Sequence, residues 1–246
     1  MAFSFFKPSA HLFSLRIVFG LVCAIPLTSC FELHETVQII RDGSGSFQLE
    51  LDASEHERML TDLARHAALS GSKTFGEGDL PFEELIQAWV AGASQLNEIK
   101  GISNAQPIVN REQFIFGWSF DFESIDDLNL ALSLKEGLEY NPKYKPTYRF
   151  ERRTLYKTQR FPFHRLLDWL QRTSPKSERP RGVENQKKAI FAGVRYRCTI
   201  QVEKKVKRCS NGEFVLSEDN RTLTYQTALS DIKAGTADIS SKIKFK

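Results

Sequence analysis

Histidine, cysteine and the short motifs of common enzymes are scarce in this chain. Its 246 residues include 5 His and 4 Cys. His56 and His66 lie about 80° out of phase at 3.6 residues per helical turn, so they do not form a helical metal pair. The patterns GxSxG and HExxH and a phosphate-binding glycine loop are absent. The sequence therefore predicts a non-catalytic protein without metal or cofactor, with an unrecognised hydrolase as an alternative.

The chain also lacks an apolar run long enough to span a bilayer. Its apolar N-terminal stretch covers residues 17–27, whereas a spanning helix needs about 20 apolar residues. Lys7 and Arg16 precede this stretch, and Leu27-Thr28-Ser29-Cys30 ends it. A positive segment, a short apolar core and small residues at its end are typical of a secretory signal. Residues 1–29 are therefore predicted to be a signal peptide.

The end of this signal resembles the lipobox of bacterial lipoprotein precursors. Leu27 stands three positions before Cys30, with small residues between them. The resemblance implies cleavage between Ser29 and Cys30, thioether lipidation of Cys30, and N-acylation with a fatty acid such as palmitate. The membrane is then a partner through Cys30. Phe31 follows in place of Asp, which by analogy with lipoprotein sorting favours the outer membrane. Export to the periplasm argues against nucleic acid as a partner.

Basic residues are scarce in one segment of the chain, and acidic residues are scarce in the next. Residues 31–134 hold 6 Lys/Arg against 18 Asp/Glu, and residues 135–208 hold 21 against 7. The two segments either pair internally, or leave a basic surface for an anionic partner such as lipid headgroups. A solvated strand face would also carry such charges. The candidates for contact with an anionic surface are Arg149, Arg152, Arg153, Lys157, Arg160 and Arg165.

Aromatic residues, in contrast, are concentrated in one stretch. Rings occupy every second position from Phe114 to Phe122, including Trp118. Alternate side chains of a strand point to opposite faces of a sheet, so the rings are predicted to share one face. That face is interpreted as a core face, and the alternative is a platform on which a ligand stacks.

The segment from residue 30 to 160 predicts an α+β domain with an antiparallel sheet and helices on one face. Alternation over 35–40 and 46–52, with Asp42-Gly43 between, predicts a β-hairpin. Helices are expected over 55–70, from Asp79 to Gly101, and after Ser124. With strands at 102–109, 114–122 and 147–157, the order is compatible with a ferredoxin-like βαββαβ arrangement.

The segment from residue 161 to 246 is predicted to contain a short helix over 161–172, a mobile loop over 173–188 and a β-meander. This segment either packs with residues 30–160 as one domain or forms a separate unit. Cys198 and Cys209 lie in this β-rich part. One continuous strand is the favoured interpretation and places them about 36 Å apart. A disulfide forms only if the chain turns at 203–205.

Taken together, the mature chain resembles bacterial cell-envelope lipoproteins of uncharacterised activity. The likeness rests on Asp42-Gly43-Ser44-Gly45 soon after Cys30, Gly101-Ile102-Ser103-Asn104, the stretch 118–132 and the segment Leu229-Ser230-Asp231. It implies no active site. The function predicted is a lipid-anchored, non-catalytic envelope protein with a structural or interaction role. The alternatives are a module that binds a ligand or anionic lipid, and an unrecognised envelope hydrolase. Besides the membrane, the candidate partners are an envelope protein and anionic lipid.

Overall fold

A computed structural model describes residues 31–56, 83–135, 146–159 and 193–246. These residues form a strand-rich mixed α+β structure with two sheets and few helices. The strands are β1 (Glu32–Ile39), β2 (Gly45–Asp52), β3 (Ile102–Asn110), β4 (Ile115–Phe122), β5 (Tyr148–Glu151), β6 (Thr154–Lys157), β7 (Arg195–Val202), β8 (Val206–Cys209), β9 (Val215–Leu216), β10 (Thr222–Ala228) and β11 (Ser241–Phe245). The helices are α1 (Glu83–Leu96), α2 (Ile125–Lys135) and α3 (Leu229–Ala234), with a 3-10 turn at Ser54–His56.

The larger sheet has seven strands in the order β3-β4-β2-β1-β7-β10-β9. The predicted hairpin is confirmed: β1 and β2 pair antiparallel from Glu32 opposite Asp52 to Ile39 opposite Gly45. Gly43 takes a φ of 93° in the connecting turn, a conformation that glycine adopts without a steric penalty. On its other side β1 pairs parallel with β7. Residues from both predicted segments therefore share one sheet.

The smaller sheet has four strands in the order β5-β6-β11-β8. The single strand predicted over 147–157 is wrong, because the chain turns at Arg152, which has a φ of 55°, and forms the hairpin β5–β6. The continuous strand predicted from Cys198 to Cys209 is also wrong. It breaks after Val202, and β8 joins the smaller sheet while β7 stays in the larger one.

The ferredoxin-like order is not confirmed. Its first three strands are arranged as predicted, since β2 lies next to β4 and β4 next to β3, both antiparallel. The fourth strand, β5, lies in the smaller sheet instead of beside β2. The reason is local: the tight turn at Asp42-Gly43 pairs β1 with the edge of β2 that β5 would otherwise occupy, along the full length of both strands.

The aromatic stretch forms a core face, as predicted. Phe116, Trp118, Phe120 and Phe122 are all at most 3% exposed. The Trp118 ring stacks on Phe47 of β2 at 5.3 Å between centroids and on Phe120 at 5.5 Å. Phe114 precedes β4 with a φ of 54° and is also buried. One hydrophobic cluster includes side chains from both sheets and from α1, α2 and α3.

The helix predicted after Ser124 begins as expected. The Ser124 hydroxyl accepts a hydrogen bond from the Asp127 backbone N–H at 3.2 Å and donates one to its carboxylate at 2.6 Å. Among the described residues, no helix combines the length and apolar character needed to cross a membrane. The signal peptide, most of the helix predicted over 55–70, the helix over 161–172 and the loop over 173–188 lie outside the described residues.

Candidate functional site

A buried cluster of polar side chains joins the two sheets. Glu35 of β1 and Lys157 of β6 are 0% and 2% exposed, and the Lys157 ammonium lies 3.0 Å from Glu35 Oε1. The Tyr148 hydroxyl donates to the same carboxylate oxygen, and the Tyr196 hydroxyl donates to Glu35 Oε2 at 2.5 Å. Lys157 also lies 3.0 Å from the Tyr148 hydroxyl. The carboxylate therefore has donors on both oxygens, as a buried charge requires.

Strand register places these side chains together. Glu35 pairs across β1 and β7 with Cys198, and Tyr148 pairs across β5 and β6 with Lys157. Cross-strand partners share a face of their sheet, so each pair points into the space between the sheets. The buried Asn129 of α2 then fixes β5: its amide donates to the Tyr148 carbonyl at 2.7 Å and accepts from the Tyr148 N–H at 3.0 Å.

Burial and the Glu35 carboxylate set the protonation states in this cluster. Burial, reinforced by neighbouring negative charge, raises the pKa of Tyr148 and Tyr196 well above their ordinary values. Burial alone would lower the pKa of Lys157, but the attraction of Glu35 and of an ionised Cys198, with the hydrogen bond to Glu35, together outweigh it, and that pKa is raised. Burial raises the pKa of Cys198 to about 12. At neutral pH the cluster thus contains Lys157 as a cation beside neutral tyrosines and a neutral thiol.

The closed position of this cluster favours a structural role. The side chains of Glu35 and Lys157 are both 0% exposed, and neither residue lines either of two depressions on the described part of the chain. One depression, of about 20 Å³, lies where β1 and β7 end, beside Arg152 and Phe150, and has room for roughly one water molecule. The other, about 550 Å³, is open to solvent on the outer face of the larger sheet. The cluster therefore ties the two sheets together.

We expect the stability of the protein to fall from about pH 9 upward. An unfolded Cys198 loses its proton near pH 9.0, while the folded thiol keeps it to about pH 12, so above pH 9 the unfolded state binds fewer protons. The free energy of unfolding should then fall by about 1.4 kcal/mol per pH unit. Raised pKa values for Tyr148, Tyr196 and Lys157 add in the same direction at higher pH.

Urea unfolding of the wild type and of Cys198→Ala between pH 8 and pH 11 would measure this effect. The variant should lose the part of the decline that begins at pH 9 and keep the part that the tyrosines and Lys157 cause at higher pH. A wild-type stability that stays constant from pH 8 to pH 10 would contradict the assignment.

The outer face of the smaller sheet carries the second set of charged residues. Register aligns Arg149, Tyr156 and Lys242 in one cross-strand row. The Arg149 guanidinium carbon lies 4.4 Å from the centroid of the Tyr156 ring, and Lys242 Nζ lies 5.3 Å from it. Both cations are exposed. The half-buried tyrosine therefore lies between two cations at the surface of the sheet.

A second row lies on the same outer face, two residues along each strand. It consists of Glu151, Thr154, Lys244 and Arg208. We call the side chains of these two rows the basic face. It has four exposed cations and one acid, Glu151, which lies 3.1 Å from Arg149. The exposed Arg152 and Arg153 extend it at the β5–β6 turn.

The candidates for an anionic surface contact are only partly brought together. Arg149, Arg152 and Arg153 are exposed on or beside the basic face. Lys157 is buried and paired with Glu35, so its assignment to a surface was wrong: it alternates with Tyr156 along β6 and points inward. Arg160 and Arg165 lie outside the described residues. Sequence reasoning missed Lys242, Lys244 and Arg208, although Lys242 and Lys244 alternate with apolar residues near the end of the chain.

The cysteine candidates are placed as follows. Cys198 and Cys209 are free thiols, the first buried between the sheets and the second half-buried in β8. The Cys209 sulfur lies 3.0 Å from the Ser241 hydroxyl of β11. Ser29 and Cys30, the predicted cleavage and lipidation residues, lie outside the described residues. Among the residues that are described, no group of three or more His, Cys, Asp or Glu has a metal-binding arrangement.

Comparison with known proteins gives little similarity. No protein-family model and no curated protein matches the chain. Among solved structures, the NMR structure of the folded domain of the Mycobacterium tuberculosis LppM protein is similar at a TM-score of 0.38 and 10% sequence identity. The match covers 89% of this chain and 91% of that one. Similarity this low transfers no residue role, so the function has to be inferred from the residues of this chain.

Proposed function

We propose that this chain is a bacterial lipoprotein, anchored through Cys30 to the outer membrane, with a non-catalytic structural or interaction role in the cell envelope. The observation that carries the proposal is Leu27-Thr28-Ser29-Cys30 at the end of a charged and then apolar segment. Two or more acyl chains at Cys30 provide stable attachment, because a single chain binds a membrane only marginally.

The fold is consistent with an anchor directly before it. Phe31 is 2% exposed, and its carbonyl accepts a hydrogen bond from the Arg195 backbone N–H at 2.8 Å. β1 begins at the next residue, Glu32. Lipidated Cys30 would therefore be followed by the folded body without an intervening linker, which would hold that body against the bilayer.

A non-catalytic role is supported by the state of the polar groups. The buried ionic cluster of Glu35 with Lys157, Tyr148 and Tyr196 makes its hydrogen bonds within the fold. Catalytic groups need contact with a substrate, and neither depression over the described ranges reaches this cluster. An unrecognised envelope hydrolase would instead show turnover that depends on Glu35 or Lys157.

Replacing Cys30 by alanine tests the anchor directly. We expect Cys30→Ala to abolish labelling by a fatty-acid analogue and to leave the uncleaved precursor, because the proposed processing acts on the modified Cys. Cys23→Ala is the matched control, since Cys23 lies in the apolar core and not after Ser29. It should label and mature normally. Normal maturation and membrane retention of Cys30→Ala would refute the proposal, and separation of inner from outer membranes would test the location.

A further inference from the structure

We propose that the basic face of the smaller sheet docks on the anionic headgroups of the bilayer that holds the lipid anchor. The proposal deepens the proposed function by naming the surface that meets the membrane and the chemistry that it recognises. Its test uses the unlipidated chain, so a failure of this inference and a failure of Cys30 lipidation give different results.

Charge supports this assignment. The basic face carries Arg149, Lys242, Lys244 and Arg208 against the single acid Glu151, and all four cations are exposed. Neighbouring strands lie about 4.8 Å apart and the two rows about 7 Å apart, so the cations are close enough to act on one surface. Tyr156 between Arg149 and Lys242 has the amphipathic ring that membrane–water interfaces favour.

The opposite side of the molecule lacks this character. Where the open depression lies, the outer face of the larger sheet presents mostly uncharged side chains such as Thr36, Gln38 and Gln48, together with the acid Asp121. Nearer the start of β1, Arg197 lies 3.3 Å from Glu32, so these charges offset each other. Only the smaller sheet, among the described residues, presents an outer face with several cations across adjacent strands.

The position of the anchor favours a bilayer over a soluble polyanion. Phe31 is buried immediately before β1 in the larger sheet, and the β5–β6 turn of the basic face lies beside Ile39 and Ile40, where β1 ends. Packed sheets lie about 10 Å apart and a strand of this length spans about 25 Å, so the basic face reaches the membrane when β1 lies along the bilayer surface. Attraction of several cations to anionic headgroups then fixes the orientation of the fold, and salt should weaken it.

Vesicle binding tests the proposal. The probe protein is the mature chain with Cys30→Ser, and the described core residues all follow Cys30. We expect it to sediment with phosphatidylcholine vesicles that contain phosphatidylglycerol but not with phosphatidylcholine alone. Binding should be strong at about 0.01 M salt, where the Debye length is ~30 Å, and lost at about 1 M, where it is ~3 Å. Lys242→Gln with Lys244→Gln should reduce partitioning about 25-fold, roughly fivefold for each charge.

The matched control removes two exposed cations elsewhere, by Lys100→Gln with Arg195→Gln. It should leave partitioning within about twofold, and circular dichroism should show that both pairs fold. Three results would each overturn the proposal: equal binding to neutral and anionic vesicles, an equal loss in the control pair, or binding to polyphosphate without binding to anionic vesicles. The last result would assign the basic face to a soluble polyanion.

Discussion

Replacing Lys157 by methionine is expected to lower the free energy of unfolding by about 3–5 kcal/mol. Methionine fills a similar volume but leaves the Glu35 carboxylate buried without its cation. That carboxylate is 0% exposed and lies 3.0 Å from the Lys157 ammonium. The two tyrosine hydroxyls still donate to it, but they carry no compensating charge. Urea unfolding of the mature chain with Cys30→Ser would measure the loss.

The double variant Glu35→Gln with Lys157→Met separates the buried charge from the packing. The glutamine side chain is neutral, and its oxygen can accept from a tyrosine hydroxyl, so the double variant should recover about 2 kcal/mol of the loss. Lys242→Met serves as the exposed control on the neighbouring strand and should change stability by less than about 0.5 kcal/mol. A loss under about 1 kcal/mol in Lys157→Met would mean that water reaches Glu35 and that the cluster is open.

Local sequence patterns predicted the elements whose partners are close in the chain. The hairpin β1–β2 needs one turn at Asp42-Gly43, and the aromatic face of β4 follows from alternation alone. The start of α2 follows from the capping hydroxyl of Ser124. None of these predictions required knowledge of distant residues.

Pairing over long distances was the part that the sequence could not supply. β11 lies between β6 and β8, and β7 lies beside β1, although about 160 residues separate Glu35 from Cys198. A period of two shows that a side chain alternates, but it does not show which sheet the strand joins. For that reason β5 was assigned to the first sheet and Lys157 to the surface.

The buried cluster left one signal in the sequence. Glu35 occupies a position of β1 whose neighbours on the same face are Leu33, Val37 and Ile39, all buried. An acid in the apolar phase of a strand indicates a buried partner. The identity of that partner could not be read, because Lys157 belongs to a different sheet and is placed by the pairing of β6 with β5 and β11.

The uneven distribution of charge was visible in the sequence. Which of these charges pair inside the fold, and which lie together on its surface, was not. Of the two interpretations, internal pairing accounts for Lys157 with Glu35 and for Arg197 with Glu32. The cations of the basic face lie on strands of the smaller sheet and point away from the larger one. Two of them, Lys242 and Lys244, come from the C-terminal segment, where positive and negative residues are equal in number. Strand register, rather than local charge density, brings them beside Arg149.

Replacing Trp118 by alanine should lower the free energy of unfolding by about 3–5 kcal/mol. The side chain is 2% exposed and stacks on Phe47 and Phe120 at 5.3 and 5.5 Å between ring centroids. Alanine would remove the largest ring of β4 and leave a cavity between the sheet and the rest of the core, which packed neighbours refill only in part. The midpoint of urea unfolding should fall while its slope stays constant, because the surface exposed on unfolding is nearly the same.

The comparison variant for Trp118→Ala is Val215→Ala, at an apolar side chain of edge strand β9 that is 70% exposed. Little area is removed from water at that position, so its effect should stay within about 0.5 kcal/mol. The contrast tests whether the alternating rings form the core or a platform for a ligand. If Trp118→Ala costs less than about 1 kcal/mol, the ring does not contribute to the core in solution. The aromatic face would then be available for stacking, and the protein would have to be reconsidered as a ligand-binding module.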